Sequence, residues 1–216
     1  MFARITLVAV LLIIQFGLAI LGWGGFEPFF SHPAFVVLLV LSILLSIVSL
    51  FSEGNLSSGE REDRSNRWVF IAFAIVALLS AYVPAYTDRG NIWTIDGETI
   101  RWFGIFLVLT GSVVRLWPVF VLGNRFSGLV AIQAEHRLVT TGIYGTIRNP
   151  SYLGLIITAF GWALVFRSGI GLILAAFNIP ILIGRMNAEE RLLRGQFGAE
   201  YDAYVARTWR LIPYVY

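Results

Sequence analysis

Two short groups of polar residues in an otherwise apolar chain have the residue types for chemistry. The first is the stretch 136–152, HRLVTTGIYGTIRNPSY, which lies between two hydrophobic blocks. Gly142 can adopt backbone angles that other residues avoid, so the chain can approach a ligand closely. Asn149 and Pro150 suit the cap and first turn of a helix, whose free N–H groups would receive the carboxylate of a small zwitterionic ligand. An ordinary loop built from turn residues explains the same pattern.

The second group follows the last apolar run. Arg185 and Glu189 are four residues apart, on the same face of a helix that continues out of that run, and Glu190 is a quarter-turn away. A simple ion pair is the alternative explanation. Aromatic residues then recur near helical spacing, among them Tyr201 and Tyr204. They predict a C-terminal amphipathic helix that lies against the membrane or folds over the loop.

The composition indicates an integral membrane protein. The chain is 57% hydrophobic and 13% charged, with a mean hydropathy of +0.77. It has no cysteine, which excludes disulfides and thiolate metal sites, and its two histidines are too few for a histidine-rich metal site. All 16 cationic residues are arginines, and they are scattered between apolar runs. We therefore expect neither a nucleic-acid partner nor a metal.

Apolar runs of spanning length must position these two groups. A cleaved signal peptide is the alternative for the first run. The arginines favour one side of the membrane, which predicts a multi-pass protein with both termini in the cytoplasm, at the inner membrane if the source is bacterial. The segment 52–67 is rich in charge and serine and predicts a flexible exposed loop. The sequence thus predicts an all-α membrane protein with about six transmembrane helices, at residues 5–21, 34–51, 68–86, 100–122, 153–166 and 170–183.

Four motifs occur in order in the last two-fifths of the chain, from about residue 123 to residue 213. They are H-x-L-V-T-x-G-x-Y, R-N-P-S-Y-x-G, E-E-x-x-L and F-G-x-E-Y-x-x-Y. Together they resemble the isoprenylcysteine carboxyl methyltransferase (ICMT) family of integral membrane methyltransferases. The family usually has histidine where this chain has Asn149. The apolar runs place four N-terminal spans in residues 1–122. The resemblance implies a catalytic region in residues 123–216.

The resemblance also implies S-adenosylmethionine as cofactor, and carries functional roles onto matching positions. Arg185 and Glu189 are the predicted catalytic residues, with Arg185 holding the substrate carboxylate. The aromatic faces of Tyr144 and Tyr152 suit the sulfonium or the adenine. The predicted cofactor-binding residues are His136, Leu138, Val139, Gly142, Tyr144, Asn149, Pro150, Ser151, Tyr152 and Glu189.

Three functions are consistent with this pattern. The first is methyl esterification of the carboxylate of an isoprenylcysteine-like or other lipophilic acceptor, with a prenylated or small lipophilic acceptor and the lipid bilayer as partners. The second is N-methylation of a phospholipid amine, in which Glu189 or Glu190 would act as a base. The third is a non-catalytic membrane protein such as a transporter subunit.

Overall fold

The chain is all-helical apart from one pair of two-residue strands, within the residues that the structure describes. The structure is a computed structural model and describes residues 2–52, 61–62, 64–122, 131–132 and 138–216. Short 3₁₀ turns occur at Arg64–Arg67 and Gly142–Gly145. In chain order the elements are α1 (Phe2–Trp23), α2 (Phe26–Phe30), α3 (Pro33–Leu50), β1 (Arg61–Glu62), α4 (Trp68–Arg89), α5 (Thr99–Leu122), β2 (Ala131–Ile132), α6 (Pro150–Val165), α7 (Gly169–Phe197) and α8 (Ala199–Ala206).

Among the described residues, five helices are long and apolar enough to cross a membrane, namely α1, α3, α4, α5 and α7. The predicted all-α membrane fold is thereby confirmed, but the predicted number of spans is corrected. The expected span at 153–166 corresponds to α6, which is apolar but has only 16 residues. At about 1.5 Å per residue it extends about 24 Å, less than the ~30 Å hydrocarbon core. Pro150 and the turn before α7 limit its length.

Two segments connect the first three predicted spans. Residues 24–33, between the first and second predicted spans, contain the short helix α2. Of the segment 52–67, expected to be a flexible exposed loop, residues 53–60 and 63 lie outside the described part of the chain. Its described end pairs β1 with β2 in antiparallel register, Arg61 opposite Ile132.

Helix α7 is more enclosed than the other spanning helices. In its most apolar window 44% of the residues are buried, against 17–22% in the other four helices. Those four helices present large apolar side chains outwards, such as Ile13 and Ile71, which are 70% and 67% exposed. Such surfaces fit a lipid environment. The enclosed helix α7 is the one that carries Arg185 and Glu189.

The chain divides into two compact units, each assembled from three sequence segments. The first contains Met1–Phe51, Phe73–Ser112 and Ile156–Ile179, and the second contains Ser52–Ala72, Val113–Leu155 and Pro180–Tyr216. The predicted division at residue 122 concerns function rather than compactness, and it stays a prediction.

Small residues and an aromatic core hold the first unit together. A Cβ on Gly161 of α6 would lie 2.7 Å from the backbone oxygen of Gly104 in α5, so the two helices meet backbone to backbone. Trp162 packs edge-on against Phe16, with ring centroids 5.5 Å apart. Its indole N–H donates to the carbonyl of Ser80 at 2.8 Å. These contacts fix α1, α4, α5 and α6 around one core.

Candidate active site

In the second unit a cluster of three side chains joins α6 to α7. The guanidinium Nε of Arg185 donates to Glu189 Oε1 at 3.1 Å, as expected for side chains one helical turn apart. The same Nε donates to the Tyr152 hydroxyl at 2.6 Å, and that hydroxyl donates to Glu189 Oε1. Arg185 is only 6% exposed. We call Arg185, Tyr152 and Glu189 the Arg–Tyr–Glu cluster; it holds a nearly buried guanidinium in one orientation.

The start of α4 covers the same guanidinium, which sequence reasoning missed. The Arg185 Cζ atom lies 5.5 Å from the centre of the Phe70 ring and 5.8 Å from that of Tyr152. Just before α4, the amide of Asn66 donates to the carbonyl of Gly184 at 3.4 Å. Phe70 belongs to no motif and is one apolar residue among many in its helix. Only its position directly after a polar segment could have drawn attention to it.

The loop before α6 brings Tyr144 to this cluster. Tyr144 lies in the 3₁₀ turn Gly142–Gly145 and is 8% exposed. Burial raises the pKa of its hydroxyl well above the usual range, and Tyr204 and the negative charge of Glu189 raise it further. Tyr144 is therefore neutral at physiological pH and lies within electrostatic range of Glu189. Gly142 has φ +61, a left-handed conformation that favours glycine.

Helix α6 begins at Pro150, directly after the loop. The carbonyl of Asn149 accepts bonds from the N–H groups of Tyr152 and Leu153, at 3.1 and 3.3 Å. The N–H of Ser151, in the first turn, has no carbonyl within the helix to bind. The side chain of Asn149 is turned to the C-terminal tail, where its amide donates to the carbonyl of Arg210 at 3.0 Å. Asn149 thus links the loop to the tail.

The tail after α7 folds over the loop, one of the two predicted placements. Gly198, with φ +53, ends α7, and α8 follows. The Tyr204 hydroxyl of α8 donates to the backbone carbonyl of Tyr144 at 2.8 Å. Beyond α8, the N–H of Arg148 donates to the carbonyl of Trp209 at 2.8 Å, and the N–H of Trp209 donates to the carbonyl of Thr146 at 2.8 Å. The loop and tail are therefore held together by backbone pairing.

The structure separates two adjacent acids that the sequence could not distinguish. Glu189 belongs to the Arg–Tyr–Glu cluster, whereas Glu190 faces the tail. Glu190 Oε1 accepts a bond from Arg210 Nε at 3.0 Å and lies 3.6 Å from Arg148 Nε. The guanidinium of Arg148 also donates to the carbonyl of Val205 at 3.2 Å. Glu190 thus anchors the tail.

The predicted site residues fall into three groups. Tyr152, Arg185 and Glu189 come together, and Tyr144 lies within electrostatic range of Glu189. Asn149, Pro150 and Ser151 form the start of α6. Leu138 and Val139 are half-buried residues of the loop, and Gly142 is exposed. His136 lies outside the described residues. Across the described ranges no group of three or more histidines and acids is placed to hold a metal ion.

Comparisons with known proteins agree on one family. Residues 104–195 match the model of the isoprenylcysteine carboxyl methyltransferase (ICMT) family. Protein-S-isoprenylcysteine O-methyltransferase B of Arabidopsis thaliana is 31% identical over 118 residues, which cover 52% of this chain and 59% of the relative. Protein-S-isoprenylcysteine O-methyltransferase of Saccharomyces cerevisiae is 33% identical over 115 residues, which cover 52% of this chain and 48% of the relative. The chain thus spans about half to three-fifths of the length of these relatives.

A solved structure shows the same fold. It is that of the eukaryotic intramembrane Ras methyltransferase ICMT without a monobody, with a TM-score of 0.56 over 98% of this chain and 75% of that one. The sequence identity is 16%, so this likeness concerns the fold alone. The family match covers the loop from residue 138, the start of α6 and the Arg–Tyr–Glu cluster. Through residues 104–195, the chain is similar to the isoprenylcysteine carboxyl methyltransferase family.

Proposed function

We propose that the chain is a membrane methyltransferase that esterifies the carboxylate of an isoprenylcysteine-like or other lipophilic acceptor, with S-adenosylmethionine as methyl donor. The observation that supports the proposal is the Arg–Tyr–Glu cluster, in a chain that is similar to this family through residues 104–195. Arg185 is a cation suited to a carboxylate acceptor, and its orientation is fixed by Tyr152 and Glu189. The relatives are named for O-methylation of protein S-isoprenylcysteine.

The donor groups around the cluster fit S-adenosylmethionine. Glu189 Oε1 accepts from Tyr152 and Arg185, while Oε2 makes no hydrogen bond within the described residues and suits an ammonium. The open N–H of Ser151 at the positive end of α6 suits a carboxylate. The rings of Tyr144 and Tyr152 suit a cationic sulfonium or an adenine. When bound, S-adenosylmethionine supplies an electrophilic methyl group on its sulfonium.

The chain's own residues have three tasks in this reaction. Arg185 orients the acceptor carboxylate through paired hydrogen bonds, which the planar guanidinium favours. Tyr152 and Glu189 hold that guanidinium in place, since both contact its Nε. The buried Tyr144 and the tail that covers the loop exclude water. No general base is required, because an ionised carboxylate is already nucleophilic at neutral pH.

The acceptor class can be tested by the chemistry of the product. Membranes containing the protein are incubated with methyl-labelled S-adenosylmethionine and a farnesylated thiol acid, and the product is treated with mild base. A methyl ester then releases volatile labelled methanol, whereas a methylated amine keeps its label. We expect base-labile label. Base-stable label in extracted phospholipid would instead establish amine methylation.

Variants at Arg185 test the role of the cluster. Arg185→Ala should lose most turnover and retain cofactor binding, because removal of a charge-assisted partner costs about 1.5–3 kcal/mol. Arg185→Lys should recover only part, since an ammonium cannot hold both carboxylate oxygens in a plane. Arg194→Ala is the matched control, because Arg194 lies on the same helix in an exposed ion pair with Asp202. Equal turnover in the Arg185→Ala and Arg194→Ala proteins would refute the assignment.

A further inference from the structure

The first unit contains a buried charge cluster that the proposed methyl transfer does not use. The Asp88 side chain, near the end of α4, is 0% exposed. Its Oδ1 accepts bonds from Arg167 Nε at 3.0 Å and Arg167 Nη2 at 2.8 Å. Arg101 Nη1 donates to Oδ2, and Arg101 Nη2 donates to Oδ1 at 3.3 Å. Both carboxylate oxygens are therefore occupied by guanidinium groups.

A second acid balances this cluster. Arg101 Nε lies 3.1 Å from each carboxylate oxygen of Glu98. Burial alone would raise the pKa of Glu98, but the hydrogen bond and charge of Arg101 outweigh it and hold that pKa below its usual range. Asp88 and Glu98 thus neutralise Arg101 and Arg167. Any further cation at this place adds uncompensated positive charge.

Arg89 is that further cation, and it borders a cleft of about 430 Å³ beside the cluster. Its guanidinium lies over Gly24, where a Cβ would come within 2.6 Å of Arg89 Nη1. Gly24 has φ +104 and no side chain, so the backbone makes room for the guanidinium. Across the described ranges no carboxylate is within ion-pair distance of Arg89. The cleft is lined by Trp23, Gly24, Asp88, Arg89, Asn91 and Arg167, among others.

Two side chains of the cleft offer hydrogen-bond donors. Arg89 contributes its guanidinium, and Asn91 contributes its amide N–H groups because its Oδ1 accepts from Thr94 Oγ1 at 3.3 Å. Several backbone acceptors at the adjoining helix ends already accept hydrogen bonds. The carbonyl of Ile20, at the end of α1, accepts from Gly24 N and Gly25 N at 3.0 and 2.8 Å. A cleft with donors and a net positive charge selects an anion.

The carbonyls at the end of α4 are occupied in the same way. Those of Tyr86, Thr87 and Asp88 accept backbone N–H groups at 3.0, 2.8 and 3.1 Å, from the residues that follow the helix. The negative end of the helix dipole is therefore largely satisfied and does not present bare oxygens to the cleft.

The surroundings of the cleft indicate the source of the anion. Three of its residues, Trp23, Asp88 and Arg89, lie at the ends of spanning helices, where lipid headgroups are found. Phe26 and Trp93 each lie two residues after a residue that lines the cleft, and they are 72% and 65% exposed. Exposed aromatic side chains at helix ends are typical of the membrane interface. An arginine near the membrane surface attracts anionic lipid headgroups.

We propose that this cleft binds the phosphate group of an anionic phospholipid, with Arg89, Arg167 and Asn91 as its donors. The site lies in the first compact unit and does not depend on the proposed methyl transfer. The same chemistry would accept free inorganic phosphate, so the test must distinguish the two sources.

The test uses the full chain purified in neutral detergent, with native mass spectrometry to count bound lipid. The probes are phosphatidylglycerol and a diacylglycerol with the same acyl chains. We expect retention of phosphatidylglycerol only. Arg89→Gln should weaken it about fivefold, the effect of one arginine near an anionic headgroup, and Arg89→Lys should restore most of it. Arg89 is exposed and has no ion pair with any described residue, so we expect the variant to fold.

A control variant and competition with inorganic phosphate distinguish a lipid-headgroup site from a free-phosphate site. Arg194→Gln removes the same charge from an exposed ion pair in the other unit and should leave lipid retention unchanged. Inorganic phosphate at millimolar concentration should not displace the lipid. If phosphate binds by calorimetric titration, in an Arg89-dependent manner, while lipid does not, the source is free phosphate and the headgroup assignment is overturned. Equal lipid retention by the Arg89→Gln and Arg194→Gln proteins would overturn the site itself.

Discussion

Replacement of Tyr204 by phenylalanine is expected to loosen the tail from the loop. The Tyr204 hydroxyl donates to the backbone carbonyl of Tyr144 at 2.8 Å, and Tyr204 is 4% exposed. Tyr204→Phe removes only this oxygen and keeps the ring that packs against Tyr201, with centroids 6.0 Å apart. The variant therefore leaves one buried carbonyl without its donor and changes little else.

The expected magnitude follows from that single lost bond. A buried polar group left without a partner costs about 1–3 kcal/mol. Since about 1.4 kcal/mol corresponds to a factor of ten, the equilibrium between open and docked tail should shift about 5- to 150-fold towards the open form. The backbone pairing between Arg148 and Trp209 depends on the docked tail, so its amide protons should exchange faster by the same factor.

Hydrogen exchange measured by mass spectrometry on peptides that contain residues 148 and 209 tests this expectation. Tyr214→Phe is the matched control, because Tyr214 lies on the same tail but is 87% exposed. In the Tyr214→Phe protein these peptides should exchange at the same rate as in the unmodified chain. If Tyr204→Phe left the protection of both amides unchanged, the tail would not be held by this hydrogen bond and the reasoning would be refuted.

Three further predictions concern pH, packing and topology. Burial raises the pKa of Tyr204 to about 12, above the unfolded value of about 10, so tail docking should be constant below pH ~10 and be lost as the pH rises towards ~12 in the same exchange measurement. Gly161→Ala should abolish a monodisperse peak in size-exclusion chromatography, since its Cβ would lie 2.7 Å from the backbone of α5, whereas Gly17→Ala, with nothing within 4 Å, should not. In this cysteine-free chain, an impermeant thiol reagent should label Asn91→Cys from outside intact cells and Tyr214→Cys only after permeabilisation; the reverse pattern would contradict the predicted orientation.

The apolar helices could be predicted from the sequence because their signal is local. An uninterrupted run of apolar residues determines both that a segment is a helix and that it suits lipid, so the bounds of α1, α3, α4 and α5 lie within a few residues of those predicted. The bounds of α6 could be predicted as well, because Pro150 suits a first turn and the predicted apolar run ends one residue after Val165. The hydropathy of the run does not show that a helix of 16 residues is shorter than the hydrocarbon core.

Part of the candidate site could also be predicted from local sequence patterns. Helical spacing alone places Arg185 and Glu189 on one face, and the motif resemblance identified Tyr144 and Tyr152 as their companions. The distinct roles of Glu189 and Glu190 could not be predicted from the sequence. They are neighbours in sequence, and only the packing of the tail against Arg148 and Arg210 assigns Glu190 to structure.

What the tertiary structure decided were contacts between residues far apart in the chain. A helix that is apolar on all sides carries no pattern to say which face meets another helix, so the position of Phe70 over Arg185 could not be read from sequence. The same holds for Asp88, Arg101 and Arg167, which come from three different segments. Their approach depends on which backbones can meet closely, and the glycine contact of Gly104 with Gly161 allows it for α5 and α6.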